Sequence, residues 1–303
     1  LPELFQVYDS LLCNSNIDLE PLRIQYADFS VWQRKFLTEE KLSEQLKYWR
    51  KKLEGIEPLN LPLDRSRPPQ QSYNGDSVSI KLDAKLSAEL RILAKDHSVT
   101  MYMLMNAVLA ILLSRYSGQD DIVVGSPIAN RHYPGTENII GFFVNTLVSR
   151  TTIDSNQSFI QLLENVKRNA LQGYQHQDIP FEYLVSELDI DRDPSRHPLF
   201  QVMLNVLEGT QLHDPDLNGL IIQPFKQMIS IAKFDLTLTV TTGELVALSF
   251  EYATDLFEKA TITRMLSHLQ NILASVVENQ TQEVSSIEML SEKEKHQLLV
   301  EWN

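Results

Sequence analysis

The chain has 303 residues, with 27 lysines and arginines against 40 aspartates and glutamates, which gives a formal net charge of −13 at pH 7. Such an acidic protein repels phosphate backbones and anionic lipid. Binding to nucleic acid or to a membrane surface would need a local basic patch, and we find none in the sequence. The length allows one large domain or two modest ones.

The cysteine and histidine content argues against disulfides and zinc sites. Cys13 is the single cysteine, so it forms no intramolecular disulfide, and no Cys/His spacing resembles a zinc site. We therefore expect that the protein binds no metal and is located in the reducing cytosol. The most apolar stretch, residues 101–113, is well short of the roughly 18 apolar residues of a membrane span. It is predicted to be a buried core helix.

Helical spacing opens the chain at Leu4 and Leu11 without a capping residue before it, which predicts that the sequence begins inside a domain. A second helical region is predicted over residues 26–53, with Thr38 as an internal N-cap. Residues 61–76 contain three prolines and an Asn-Gly pair. This segment is the candidate boundary between two lobes.

Beyond that boundary, predicted strands and helices interleave, which indicates an α/β or α+β fold. Strands are expected at residues 77–82, 122–125, 200–207, 220–225, 234–240 and 245–252, the last two forming a hairpin. Helices are expected after Asp83, from Thr100 to about Gly118, at 156–173, 181–188 and 258–278, and after a capping box at Ser291.

Self-sufficient catalytic motifs are not found in the sequence. It contains no Walker loop, no GxGxxG and no HExxH, and Ser126 lacks the second glycine of a nucleophile elbow. His176 and Asp178 could form an acid/base pair. The favoured interpretation is that Asp178 and Pro180 simply start the helix at Phe181, since these residue types are common at helix N-termini.

Two further polar features allow two interpretations each. The guanidinium groups of Arg192 and Arg196 could bind an anion, although an internally paired loop with Asp193 is favoured. Asn145 stands in an apolar strand, where its amide must find hydrogen bonds. It is either a structural clamp or a group that faces a substrate, and the sequence leaves both open.

Five segments, taken in order, carry a resemblance. They are residues 26–32 (YADFSVW), 123–131 (VVGSPIANR), 140–150 (IGFFVNTLVSR), 176–182 (HQDIPFE) and 192–199 (RDPSRHPL). Together they resemble core motifs of the condensation domains of nonribosomal peptide synthetases. The last residues, 298–303 (LLVEWN), resemble the linker that leads into an adenylation domain.

The family's active-site motif, His-His-x-x-x-Asp-Gly, does not occur in the sequence. The resemblance therefore implies a chloramphenicol-acetyltransferase-like, CoA-dependent-acyltransferase fold of two lobes, with the N-terminal lobe truncated and the C-terminal lobe nearly complete. The expected division is residues 1–60 for the end of the N-terminal lobe, 61–76 for the linker, 77–285 for the C-terminal lobe and 286–303 for the linker to the adenylation domain.

The resemblance also implies a reaction. Condensation domains join a donor acyl or peptidyl thioester to the amine of an acceptor aminoacyl thioester, each held on the phosphopantetheine arm of a carrier protein. The implied partners are the upstream and downstream carrier proteins and an adjacent adenylation domain, with no cofactor bound directly. The intact domain is expected to be active and this chain alone inactive.

Site residues follow from the same resemblance. Arg131 is the first candidate, and Arg150 the second, to hold the aspartate of the absent motif. The residues expected to line the tunnel between the lobes are Ser126, Gly141, Phe143 and Asn145. Structural roles are expected for Asp28, Trp32, Asp178, Arg192, Asp193 and Arg196.

Two other classes remain open. One is an epimerisation or heterocyclisation relative with the same fold. The other is a non-catalytic module that docks carrier proteins. The residues that precede Leu1 in a longer protein would distinguish them, because the active-site motif differs between these classes.

Overall fold

A computed structural model describes residues 2–188, 193–209, 220 and 231–302. The helices are α1 (Pro2–Leu12), α2 (Tyr26–Phe36), α3 (Glu39–Lys52), α4 (Ala84–Asp96), α5 (Met101–Ser117), α6 (Phe159–Gln175), α7 (Phe181–Glu187), α8 (Lys259–Glu278) and α9 (Glu292–His296). The strands are β1 (Gly75–Lys81), β2 (Asp121–Ile128), β3 (Asn145–Thr152), β4 (Val202–Glu208), β5 (Leu236–Thr242) and β6 (Val246–Ala253). A 3-10 turn (Val284–Ser286) and a π-helical turn (Gln297–Glu301) complete the described elements.

Within the described residues, six strands form one mixed sheet in the order β1-β6-β5-β4-β2-β3. β4 runs parallel to both of its neighbours, β5 and β2, and the other pairs are antiparallel. The β2–β4 pairing is short, joining only Val124 to Val202 and Gly125 to Met203. The far end of β2 is therefore free of β4 and leads into the loop that precedes β3.

One face of the sheet carries the main core, which is packed against α4, α5, α6 and α8. α5 is buried from Met103 to Ser114 because nearly every position is apolar, as expected for a helix covered on all sides. Asn106 and Ser114 are the polar exceptions in that stretch, and the Asn106 amide donates to the Ser149 hydroxyl at 2.8 Å. The apolar run predicted as a core helix is confirmed.

α3 and α7 pack against the opposite face of the sheet. Alternate side chains of a strand point to opposite faces, so Ile122 and Val124 join the main core whereas Val123 belongs to a second cluster. Trp49 of α3 is a buried member of this second cluster. The division of the chain at residue 60 stays a prediction.

Most local signals of the sequence are confirmed. The side chains of Thr38, Asp83, Thr100 and Ser291 each accept the predicted N-cap hydrogen bond, and Gly118 ends α5 in the left-handed conformation. The β5–β6 hairpin is present. The helix predicted from residue 156 begins later, at Phe159, because Ser158 and Gln161 form a capping box. Except for Leu220, the strand predicted at 220–225 lies outside the described residues.

Across the described part of the chain, no single helix is long and apolar enough to cross a membrane. Only as a pair are the consecutive helices α4 and α5 long and apolar enough, and they are bent by 107° relative to each other. Both contribute buried residues to the main core.

Candidate functional site

The loop between β2 and β3, residues 129–144, packs on α2 and is called here the β2–β3 loop. Phe143 is buried, with its ring centroid 4.6 Å from that of Phe29 and 5.2 Å from that of Tyr26. The Tyr26 hydroxyl donates to the Phe142 carbonyl at 2.8 Å. A Cβ at Gly141 would lie 2.2 Å from the Tyr26 ring, so this close approach requires glycine.

Asp28 and Trp32 support this contact from α2. The Asp28 carboxylate accepts from the Gln25 amide at 2.8 Å and completes a capping box at the start of the helix. One turn further, the Trp32 ring meets the Tyr133 ring edge-on, with 4.4 Å between centroids. The structural roles expected for both residues stay predictions, and these contacts are compatible with them.

Arg131 stands at the beginning of the β2–β3 loop and is partly buried. Its Nη1 donates to the Thr136 carbonyl and, at 2.9 Å, to the Ile139 carbonyl, and its guanidinium lies 4.1 Å from the Phe143 ring centroid. The hydrogen bonds and the cation–π contact hold the loop closed on itself. Nε and Nη2 make no hydrogen bond to the described residues, so this edge of the guanidinium is able to bind a carboxylate.

Arg150 differs because every donor nitrogen is used. Nε and Nη2 bind the Asp121 carboxylate at 2.8–3.0 Å, and Nη1 donates to the carbonyls of Lys52 at 3.0 Å and Glu54 at 2.7 Å. The hydrogen bond to Asp121 raises the pKa of Arg150. Of the two sequence candidates, only Arg131 keeps free donors on its guanidinium.

Asn145 begins β3, and its amide is used completely. Nδ2 donates to the carbonyls of Gln177 at 2.9 Å and Ile179 at 2.8 Å, and Oδ1 accepts from the Phe181 amide at 3.0 Å. The side chain thus clamps the connection between α6 and α7 and satisfies an N–H group at the start of α7. Of the two interpretations left open by the sequence, the geometry matches the clamp.

Asp178 does not cap α7, so that part of the expectation is wrong; Pro180 is the N-cap. The Asp178 carboxylate instead accepts from the Tyr133 hydroxyl at 2.8 Å and from the Gln45 side chain at 3.4 Å, and lies 3.3 Å from His132 Nε2. Burial, together with the hydrogen bond to Asp178, raises the pKa of Tyr133. Asp178 therefore ties the β2–β3 loop to α3.

His176 is not the partner of Asp178. Its ring stacks on Tyr48 with centroids 3.9 Å apart, and its Nδ1 lies 2.9 Å from the Gln172 carbonyl. The residues that sequence reasoning missed are Gln45, His132 and Tyr133. Only their adjacency to Arg131 could have drawn attention to the last two.

Ser126 is buried near the end of β2, and its hydroxyl lies close to that of Tyr102. Burial raises the pKa of Tyr102 to about 12. The structure brings Gly141 and Phe143 together with Arg131 in the β2–β3 loop. Whether these residues line a tunnel stays a prediction.

The segment after residue 192 is an internally bonded turn. The Asp193 carboxylate accepts from the Ser195 amide at 2.8 Å and lies 3.6 Å from Arg196 Nε. The Ser195 hydrogen bonds, aided by Arg196, lower the pKa of Asp193. This geometry agrees with the internally paired interpretation, and Arg192 lies outside the described residues.

The same segment contains a partly buried histidine that the sequence did not single out. The His197 ring lies 4.4 Å from the ring of Phe200 and 4.9 Å from that of Phe234, centroid to centroid. Burial lowers the pKa of His197 from 6.5 to about 4. The imidazole is therefore neutral at pH 7.

Comparisons with known proteins identify the family. The family model described as "Condensation domain" matches residues 1–299. The chain is 45% identical over 305 residues to a linear gramicidin synthase of Brevibacillus parabrevis, covering 99% of this chain and 6% of that protein. It is also 45% identical over 283 residues to bacitracin synthase 3 of Bacillus licheniformis, covering 93% of this chain and 4% of that protein. The chain thus spans only a small part of each synthase that it matches.

Solved structures give the same result. The X-domain from teicoplanin biosynthesis superposes with a TM-score of 0.84 at 27% identity, covering 95% of this chain and 67% of that one. The X-domain in its complex with OxyB gives a TM-score of 0.83 at 28% identity and covers 95% of this chain and 65% of that one. This chain belongs to the condensation-domain family of nonribosomal peptide synthetases and has the CoA-dependent-acyltransferase-like fold.

Proposed function

We propose that the chain acts in amide-bond formation between two thioesters that carrier proteins present on phosphopantetheine arms. The observation that carries this proposal is the family match over residues 1–299, together with relatives that are peptide synthetases. The acceptor amine nitrogen attacks the donor thioester carbonyl. A C–N bond forms, the C–S bond breaks, the donor carrier leaves as the thiol, and the amine loses a proton.

The histidine for that proton is proposed to come from outside these 303 residues, because the sequence contains no His-His-x-x-x-Asp-Gly segment. The contribution of this chain is to position groups. We propose that an adenylation domain lies next to this chain in the longer protein and that the protein works in the reducing cytosol. Heterocyclisation is an alternative that the same assay identifies by the mass of the water lost. Epimerisation is an alternative that leaves the mass unchanged, so chiral chromatography of the released donor identifies it.

Arg131 is the proposed positioning residue. Its Nη1 is anchored to the carbonyls of its own loop, and Nε and Nη2 are available for the aspartate of the active-site motif. Arg150 is a weaker candidate because Asp121 already holds its guanidinium. A charged pair of this kind orients a loop and takes no part in the proton transfer.

The test compares the activity of this chain alone with that of a hybrid protein that also contains the active-site motif. In the hybrid, residues 1–303 follow the segment that precedes the matching region in bacitracin synthase 3, chosen to include a His-His-x-x-x-Asp-Gly motif. Donor and acceptor carrier proteins are loaded, and dipeptidyl product is measured by mass spectrometry. We expect product from the hybrid and none from the chain alone. Product from the chain alone would contradict the proposed source of the histidine.

In the hybrid, Arg131→Ala is expected to lower kcat about 100-fold, because a small misplacement of the active-site loop has an effect of that size. Arg131→Lys should restore part of the rate, and KM for the loaded carriers should change little. Lys47→Gln, on the exposed side of α3, is the matched control. An unchanged kcat in Arg131→Ala would remove the assignment.

A second candidate is a non-catalytic docking module. The observation that favours it is the superposition on the X-domain, whose structure was solved in complex with OxyB. Such a module would bind a partner protein without joining thioesters. A folded hybrid that binds loaded carriers and yields no product would support this candidate.

A further inference from the structure

A cleft of about 730 Å³ lies between α3, α6 and the end of β3, away from the β2–β3 loop. It is called here the basic cleft. Its cationic lining residues are Lys51, Lys52, Arg150 and Arg168, and amide side chains of α6 complete much of the wall. Among the described residues that line it, none is an aspartate or a glutamate.

The cleft exists because α6 has two different faces. One stripe, which includes Phe159, Leu163 and Val166, is buried in the main core. Another stripe, Asn165, Arg168, Asn169 and Gln172, follows the i, i+3, i+4, i+7 spacing of one helix face and lines the cleft. Polar side chains on this face do not close the space toward α3 as apolar ones would.

The positive charges in the cleft are only partly compensated. Arg150 is paired with Asp121, whereas Lys52 donates to the neutral Asn169 side chain at 2.9 Å and Arg168 to the neutral Asn165 side chain at 2.9 Å. Burial, and then the charge of Arg150, lower the pKa of Lys52. An anion in the cleft would relieve this repulsion and accept hydrogen bonds from donors such as Lys51 and Arg168.

We propose that the basic cleft binds a phosphoryl group. The source is either a free polyphosphate or a phosphoester carried on a protein. None of the lining residues belongs to the β2–β3 loop. The cleft shares Arg150 with the candidate functional site, and its lining residue His176 precedes Gln177, whose carbonyl Asn145 binds. The proposal does not depend on amide formation.

The test is isothermal titration of the chain at low salt with two probes. Pyrophosphate represents the free ligand, and a carrier protein with and without its phosphopantetheine arm represents the protein-borne ligand. The test variant is Lys51→Gln/Arg168→Gln, whose two side chains are exposed. The control is Lys47→Gln/Lys95→Gln, which removes the same charge from outside the cleft.

We expect at least one probe to bind, with Kd raised about tenfold or more in the test variant and little changed in the control, because charge-assisted hydrogen bonds are lost only in the former. Pyrophosphate binding identifies a free ligand. Tighter binding of the carrier protein with its arm, lost in the test variant, identifies a protein-borne one. Absence of both, or equal weakening in the two variants, overturns the proposal.

Discussion

The main core and the β2–β3 loop use different interactions. In the main core, leucines such as Leu109 are completely buried between the sheet and its helices. In the β2–β3 loop, Phe143 is buried, but its neighbours Ile140 and Phe142 are 90% and 75% exposed. The core is held by burial of apolar surface, whereas the loop has too few buried groups for that.

In the β2–β3 loop, hydrogen bonds from side chains to the backbone replace the apolar burial that holds the main core. Arg131 binds carbonyls of the loop, and Asn145 binds three backbone groups of the α6–α7 connection. A single hydrogen bond contributes about 0.5–1.5 kcal/mol, whereas removing a buried leucine side chain costs about 2–5 kcal/mol. The comparison teaches that the sheet provides most of the stability, and that polar side chains select the conformation of the site.

The largest effect is expected in the main core. Leu109→Ala should lower the free energy of unfolding by about 2–5 kcal/mol, because it leaves a cavity in α5 that its packed neighbours cannot close. Urea denaturation followed by circular dichroism measures this loss. Ile92→Ala, at a position that is 57% exposed on α4, is the control and should change stability much less. Equal losses in the two variants would contradict the contrast between regions.

A smaller effect is expected at the clamp. Asn145→Ala should lower the free energy of unfolding by about 2 kcal/mol, because it leaves buried backbone groups without partners. Hydrogen exchange should become faster first at the start of α7, including the Phe181 amide. Asn156→Ala, at an exposed position before α6, is the control. Unchanged exchange in α7 would show that the clamp is not what holds it.

The smallest effect is expected from pH, at the second cluster. The pKa of His197 is about 4 in the folded chain and 6.5 when unfolded, so protonation favours unfolding. The stabilisation is fully present above pH 6.5 and declines as the pH falls towards 4. Between pH 7 and pH 5 the loss should be about 1–2 kcal/mol.

Chemical denaturation at several pH values measures this loss, and His197→Gln is the comparison because it lacks the titrating group. The difference between the two proteins should shrink as the pH falls. If both lose stability in parallel from pH 7 to pH 5, His197 is not the titrating group.

Local signals made the helices predictable. A capping residue and the helix that it starts are neighbours in sequence, so Thr38, Asp83 and Thr100 were recognisable without tertiary information. The candidate site was predictable only as a set of segments. Asp178 illustrates the limit, because a carboxylate before a proline is typical of a helix start, yet its actual partners come from α3 and the β2–β3 loop.

The sequence by itself determined the family, the mixed fold class and most helix ends, because these depend on motifs and short-range patterns. Tertiary structure alone decided which arginine keeps free donors and what Asn145 binds. It also created the basic cleft. Lys51, Arg150 and Arg168 come from three separate elements. Arg50, Lys51 and Lys52 form a short basic run at the end of α3, and only folding adds the distant Arg150 and Arg168 to it to make one positive site.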